Sequence, residues 1–146
     1  MLPPTIERTL HDAATWYMVG VIWLVQLVQY PMFEYLDRAA FTRSHAFHTS
    51  AIGLVVGPGM LIELVLSALI LWRRGPSDWP ALWGFALVIM LWAVTLFMMI
   101  PLHNRLALEG FNPVVHHALV RWNWLRTLAW TARGAIAAFW LWSSRT

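Results

Sequence analysis

Four long apolar stretches constrain this chain more than any other feature: Ala13–Tyr30, Ala51–Trp72, Trp79–Ile100 and Ala118–Trp142. Each is close to the roughly 20 residues that a helix needs to cross a 30 Å hydrocarbon layer. Buried helices of a soluble bundle would show a polar face every 3.6 residues. Leu64–Trp72 and Ala81–Ile100 show almost none. Only 12% of the residues are charged, against about 25% in soluble domains, as expected of a chain solvated mainly by lipid. Tryptophan is abundant, and aromatic residues gather near the ends of the stretches: Trp16, Tyr30, Trp72, Trp79, Trp122, Trp124, Trp140 and Trp142. That distribution is the belt expected at a lipid–water boundary. The fold expected is all-α: a four-helix transmembrane bundle, up-down-up-down, a single domain over residues 1–146 with both termini on one side.

Punctuation between the stretches supports this organisation. Pro31 and Pro101 follow the first and third, and Arg73-Arg74-Gly75-Pro76-Ser77-Asp78 is a short polar turn between the second and third. The other side carries two longer connections, around residues 31–50 and 101–117. Arginines are spread over both sides, so the positive-inside rule assigns no orientation. Glu7 and Asp12 replace the basic start of a signal peptide, so the first stretch is expected to be retained. A bacterial inner membrane is the expected location. The partners expected are the lipid bilayer and a hydrophobic small molecule, with an oligomer left open. No basic run or stacking motif points to nucleic acid. The chain has no Cys, which removes disulfides and thiolate metal sites from consideration.

A 70-residue offset aligns several landmarks: Pro31 with Pro101, Leu36 with Leu106, Phe41 with Phe111, and Leu71-Trp72 with Leu141-Trp142. Either a helical hairpin has been duplicated, or two hairpins have met the same spanning problem in the same way.

Ionisable groups inside a span cost at least about 2.5–3.5 kcal/mol at the helix centre, so each needs a partner or a wet cavity. Glu63 lies nine residues before Trp72, and Arg133 nine before Trp142, on helices that run in the same direction. They are therefore at similar depth and are expected to form an ion pair. A proton relay and a protonated Glu63 are the alternatives.

A second polar set gathers toward the long-loop side: Gln26 and Gln29, His45 and His48, His103 and Asn104, Asn123 and Arg126. These are expected to line one concavity. Gly57-Pro58-Gly59 is expected to interrupt the second helix at similar depth. His45 and His48 stand at i and i+3, on one helical face. With His103 they offer three nitrogens to a metal ion. His48 and His103 alone offer two axial ligands to a haem, and interfacial histidines bonded to loop carbonyls are the third possibility. His116 and His117 are expected to cap the fourth helix, and His11 falls on the opposite side.

Pro101-Leu-His-Asn-Arg-Leu106 followed by Val120-Arg-Trp-Asn-Trp-Leu-Arg-Thr127 resembles the P-x-N-x-x-L … W-N-x-x-R-T pattern of the anthrone-oxygenase-like membrane family. Trp122, Asn123, Arg126 and Thr127 match it as they stand. His103 occupies the usual place of the Asn, which comes one residue later as Asn104. The resemblance implies a four-helix membrane fold and oxidation of a polycyclic phenol by dioxygen without a tightly bound cofactor. A looser likeness, through Tyr30-Pro31 and Pro58-Gly59-Met60, is to the membrane protoporphyrinogen oxidases. Two functions follow as expectations. One is an oxidoreductase acting on a flat apolar molecule from the bilayer. In it Trp122 and Trp124 form an aromatic wall, Arg126 and Asn123 stabilise an anionic oxygen, and His103 or His48 removes a proton. The other is a non-catalytic accessory subunit or small-molecule binder, in which the same residues only join helix four to its neighbours.

Overall fold

The computed structural model describes residues 3–143. These form four long helices, and no strand occurs among them. Helix α1 runs from Pro4 to Leu24, passes through a π-helical turn at Val25–Gln29, and ends through Tyr30–Met32 and a 3₁₀ turn at Phe33–Tyr35. Helix α2 spans Arg38–Arg74. Helix α3 spans Trp79–Val94, a π turn at Thr95–Met99, and Ile100–Glu109. Helix α4 spans Pro113–Ser143. Consecutive helices are antiparallel, and α1 and α3 each pack against both α2 and α4. The start of α1, the α2–α3 turn and the end of α4 therefore share one end of the bundle.

Helix boundaries follow local chemistry. The Asp37 side chain accepts from Ala39 N–H at 3.0 Å and so starts α2 well before Ala51, where the apolar stretch begins. The Asp78 side chain does the same for Ala81 N–H at 3.1 Å. Asn112, not His116 or His117, caps α4, accepting from Val114 N–H at 3.0 Å. Gly75 and Gly110 close α2 and α3 at φ 80° and 75°, a left-handed conformation that favours glycine.

Both π turns end two residues before a proline, Pro31 and Pro101. A proline inside a helix lacks the N–H and crowds the carbonyl four residues back. One widened turn removes that clash, and the Tyr30 and Ile100 N–H groups reach back five residues to Val25 O and Thr95 O. Contrary to the expected interruption, α2 continues straight through Pro58. A neighbouring helix helps satisfy that turn: the Tyr17 hydroxyl donates to Val55 O at 3.0 Å.

Three of the helices are long and apolar enough to cross a membrane: Thr5–Tyr35, Arg38–Arg74 and Trp79–Glu109. Helix α4 falls outside that group because Asn123, Arg126 and Arg133 lower its mean hydropathy. All three are buried inside the bundle, while Leu125, Leu128, Phe139 and Leu141 face outward. The polar side chains of α4 turn to the interior and its lipid-facing side stays apolar, as intramembrane polar groups require. The core is layered along the bundle. Phe33, Phe41, Leu106 and Leu119 fill the long-loop end, Met18, Ile22, Met60, Leu91 and Trp130 the middle, and Ile70, Ala81 and Trp140 the termini end.

Candidate functional site

Two polar networks lie inside the bundle, separated by the apolar middle layer. The first, toward the termini, joins all four helices. Arg133 forms a salt bridge with Glu63 and donates to the Gly84 carbonyl. Its Nη2 also donates to Ser67 Oγ at 3.0 Å and lies 3.1 Å from His11 Nε2. Thr15 Oγ1 donates to the other Glu63 oxygen at 2.6 Å. Arginine has no acceptor, so His11 Nε2 presents its lone pair and Nδ1–H faces Asp12 Oδ1 at 3.1 Å. Both Glu63 oxygens thus have a partner, while Arg133 Nε is buried without one. The cavity beside Arg133 is about 10 Å³, the volume of one water.

The second network lies toward the long-loop end. Asn123 Nδ2 donates to Gln26 Oε1 at 2.9 Å, and Arg126 Nη1 donates to Asn123 Oδ1 at 3.0 Å. Thr127 Oγ1 completes the group, donating to Asn123 O at 3.0 Å. Arg126 is 5% exposed, its guanidinium sits beside the Tyr30 hydroxyl, and its Nε has no hydrogen-bond partner. Among the described residues no carboxylate forms a salt bridge with it, whereas Arg133 has Glu63. From Tyr30 a chain of hydrogen bonds continues outward. Tyr30 Oη lies 3.1 Å from His103 Nε2, and His103 Nδ1 lies 3.0 Å from His45 Nε2. His116 Nε2 binds the Tyr30 carbonyl at 2.9 Å and its Nδ1 lies 3.3 Å from Glu34.

A cavity of about 370 Å³ adjoins this network, within the range typical of small-molecule sites. It is a slot between α2 and α3. Its lining on α2 runs from His45 to Met60 and on α3 from Trp92 to Ala107, about 22 Å of helix rise on each. Ile22, Val25 and Tyr30 of α1 form its floor together with Arg126 of α4. Gly53 and Gly57 line one wall, and a Cβ at either would meet nothing within 4 Å. The π turn of α3 lies in the opposite wall: Thr95, Leu96 and Met99 all contribute. Such turns recur at functional sites because they re-aim side chains within a helix. Trp92, also in the lining, has a buried indole N–H without a partner.

The structure divides the residues singled out from the sequence. His103, His45 and Arg126 line the slot, with Asn104 near its outer end. Gln26 and Asn123 stand behind Arg126 and hold it. Gln29 and His48 line a different depression, between α1 and α2. Trp122 packs into the long-loop core, and Trp124 meets Trp23 edge-to-face at 5.8 Å. Neither forms a wall of the slot, a place taken by Trp92. Tyr30, Trp92 and the two wall glycines were not among the candidate site residues. Tyr30 had read as a belt aromatic, and only the proline that follows it hinted at a special position.

The histidine trio does not converge as a metal site, and both His103 nitrogens are bonded within the network. Among the described residues no group of three His, Asp or Glu side chains converges as metal ligands. No family model matches the chain, and neither a curated protein nor a solved structure matches it.

Proposed function

We propose that the chain is an integral membrane oxidoreductase that takes a flat, apolar phenol or enol from the bilayer into the slot between α2 and α3. One observation carries this reading: Arg126, buried and without a carboxylate partner among the described residues, lines an apolar cavity of about 370 Å³. A buried guanidinium whose side-chain neighbours are neutral favours an anionic oxygen, because the interaction is strong away from water. Gln26 and Asn123 fix its orientation, and Tyr30 stands beside it to exchange a proton. The resemblance to the anthrone-oxygenase-like family supplies the reaction class. Dioxygen, itself soluble in lipid, is the oxidant. At a methylene between aromatic rings, one oxygen atom becomes the carbonyl and the other leaves as water with the two methylene hydrogens. The protein's part is to bind the ionised form, orient it and exclude water.

A binder without chemistry is the second reading, favoured by the prior engagement of both His103 nitrogens. Binding and oxygen uptake separate the two. Protein in mild detergent is titrated with 4-nitro-1-naphthol and with its methyl ether, following tryptophan quenching. The naphthol is expected to bind at least tenfold more tightly than the ether. Arg126→Lys should abolish most of that preference, because a charge-assisted hydrogen bond contributes about 1.5–3 kcal/mol and the planar fork is not replaced by an ammonium. Equal binding of phenol and ether overturns the site. Anthrone-dependent oxygen consumption that disappears in Arg126→Lys supports the enzyme. Binding without consumption leaves the binder.

A further inference from the structure

We propose that Tyr30, His103 and His45 form a proton relay that carries the proton of a cavity-bound acid from Arg126 to the long-loop end of the slot. The inference rests on the slot being a site for an acidic ligand, and it goes beyond that reading by assigning the route of the proton.

Three helices contribute one group each, in a continuous line. Tyr30 Oη on α1 and His103 Nε2 on α3 are 3.1 Å apart. His103 Nδ1 and His45 Nε2 on α2 are 3.0 Å apart. An imidazole bonded through both nitrogens passes a proton in at one and out at the other, which is the property a relay requires. The line accepts either polarity. With Tyr30 donating, His103 accepts at Nε2 and donates from Nδ1, and His45 accepts at Nε2 and carries its proton on Nδ1. With all three reversed, His45 Nε2 donates to His103, His103 donates to the Tyr30 oxygen, and the Tyr30 hydroxyl hydrogen is free to turn toward a ligand. Both states satisfy every inner bond. One outward passage of a proton, taken up at the Tyr30 oxygen and released from His45 Nδ1, converts the first state into the second.

The two ends differ as a relay needs. The Tyr30 end lies beside the Arg126 guanidinium, where an acid would ionise. The outer end, His45 Nδ1, is buried and has no partner. His45 shares the slot lining with Thr49, Asn104 and Ala107, and Asn104 and Ala107 are exposed on the long-loop side of α3. Aromatic rings insulate the line from its flanks: Phe41 stacks on His45 at 5.4 Å, and Phe33 meets it edge-on at 5.7 Å. The other titratable groups facing the line are His48 of α2, 5.7 Å from His103 between centroids, and Arg126 and His116 of α4. His116 holds the Tyr30 carbonyl and so fixes the first member rather than joining the line. A purely structural cluster would equally well use Gln or Asn at the middle and end positions.

The test uses the full chain in mild detergent, mixed rapidly with 4-nitro-1-naphthol in weak buffer acidic enough to keep the free naphthol protonated, with a pH indicator. Phenolate absorbance reports ionisation in the site, and the indicator reports release to solvent. In the native protein both signals are expected to rise together. His45→Gln keeps a hydrogen-bonding partner for His103 but cannot pass a proton, so release, scaled to the phenolate formed, is expected to lag behind ionisation at least tenfold. His45→Ala is expected to show the same loss, with the rate restored by added imidazole, which fits the space vacated. Native-like release in His45→Gln overturns the relay, as does a slow His45→Ala that imidazole fails to restore. No phenolate signal in the native protein overturns the acidic-ligand site itself, an outcome distinct from a relay failure with ionisation intact.

Discussion

Replacing Glu63 by Gln removes the charge from a carboxylate with 0% exposed side chain while keeping its shape. Its partner Arg133 has a side chain only 1% exposed. Its remaining neighbours are neutral or shared: the Gly84 carbonyl, the Ser67 hydroxyl and His11. Breaking one side of a buried ion pair costs about 3–5 kcal/mol, because the surviving charge is left uncompensated. The Gln oxygen still accepts one bond, which places Glu63→Gln near the lower end, about 3 kcal/mol. At roughly 2–4 °C per kcal/mol for chains of about this size, the unfolding midpoint in mild detergent is expected to fall by about 6–12 °C. Removing both charges, as Glu63→Leu with Arg133→Leu, leaves no stranded ion, so the double variant is expected to be more stable than the sum of its parts predicts. Circular dichroism at the helix band against temperature measures the native protein, Glu63→Gln, the two single leucine variants and the double variant. A Glu63→Gln midpoint within 2 °C of the native one, or a double variant no better than additive, would refute the reasoning.

Two further outcomes are expected. Single cysteines at Thr5 and Ser77 should react with an impermeant maleimide from the same side of a sealed vesicle, and one at Leu108 from the other; a mixed result for Thr5 and Ser77 rejects the antiparallel order. Gly57→Leu should leave thermal stability within about 1 kcal/mol of native, because its side chain enters the slot, yet block nitronaphthol binding. Gly59→Leu should instead cost about 1–3 kcal/mol by overpacking, since even a Cβ there lies 2.6 Å from Met18 Sδ. Equal stability of the two variants on a denaturation curve would count against the slot.

Depth was the most legible property in the sequence. Counting back from the interfacial Trp72 and Trp142 placed Glu63 and Arg133 level with one another, because rise per residue in a helix is constant and both helices run the same way. Direction around the helix was less legible. A π turn inserts a residue and rotates all that follows by roughly 100° relative to an ideal helix. Depth alone groups Gln29 with Gln26, whereas around the helix Gln29 lines the α1–α2 depression and Gln26 faces Asn123. Trp92, Thr15 and Tyr30 left no signal of their own, since a hydroxyl or an aromatic ring inside an apolar stretch reads as packing until its neighbours on other helices are known. The α4 signature residues divided for the same reason. Arg126 reaches the slot, Asn123 supports it, and the two tryptophans between which Asn123 stands turn elsewhere.

The 70-residue spacing returns in three dimensions. The π turns at Val25–Gln29 and Thr95–Met99 are separated by it, and so are Glu63 and Arg133. Had one hairpin been duplicated, corresponding positions of its copies would meet only at a twofold axis relating them. If two copies of one hairpin associated, that axis would bring identical residues face to face, and identical charges there repel. An opposite pair at this point can exist only where the halves are free to differ. By joining its halves in one polypeptide, the chain gains a central attraction that no symmetric dimer of either hairpin can form. The same freedom lets one half supply Arg126 and the other Tyr30 and His45 to a single slot.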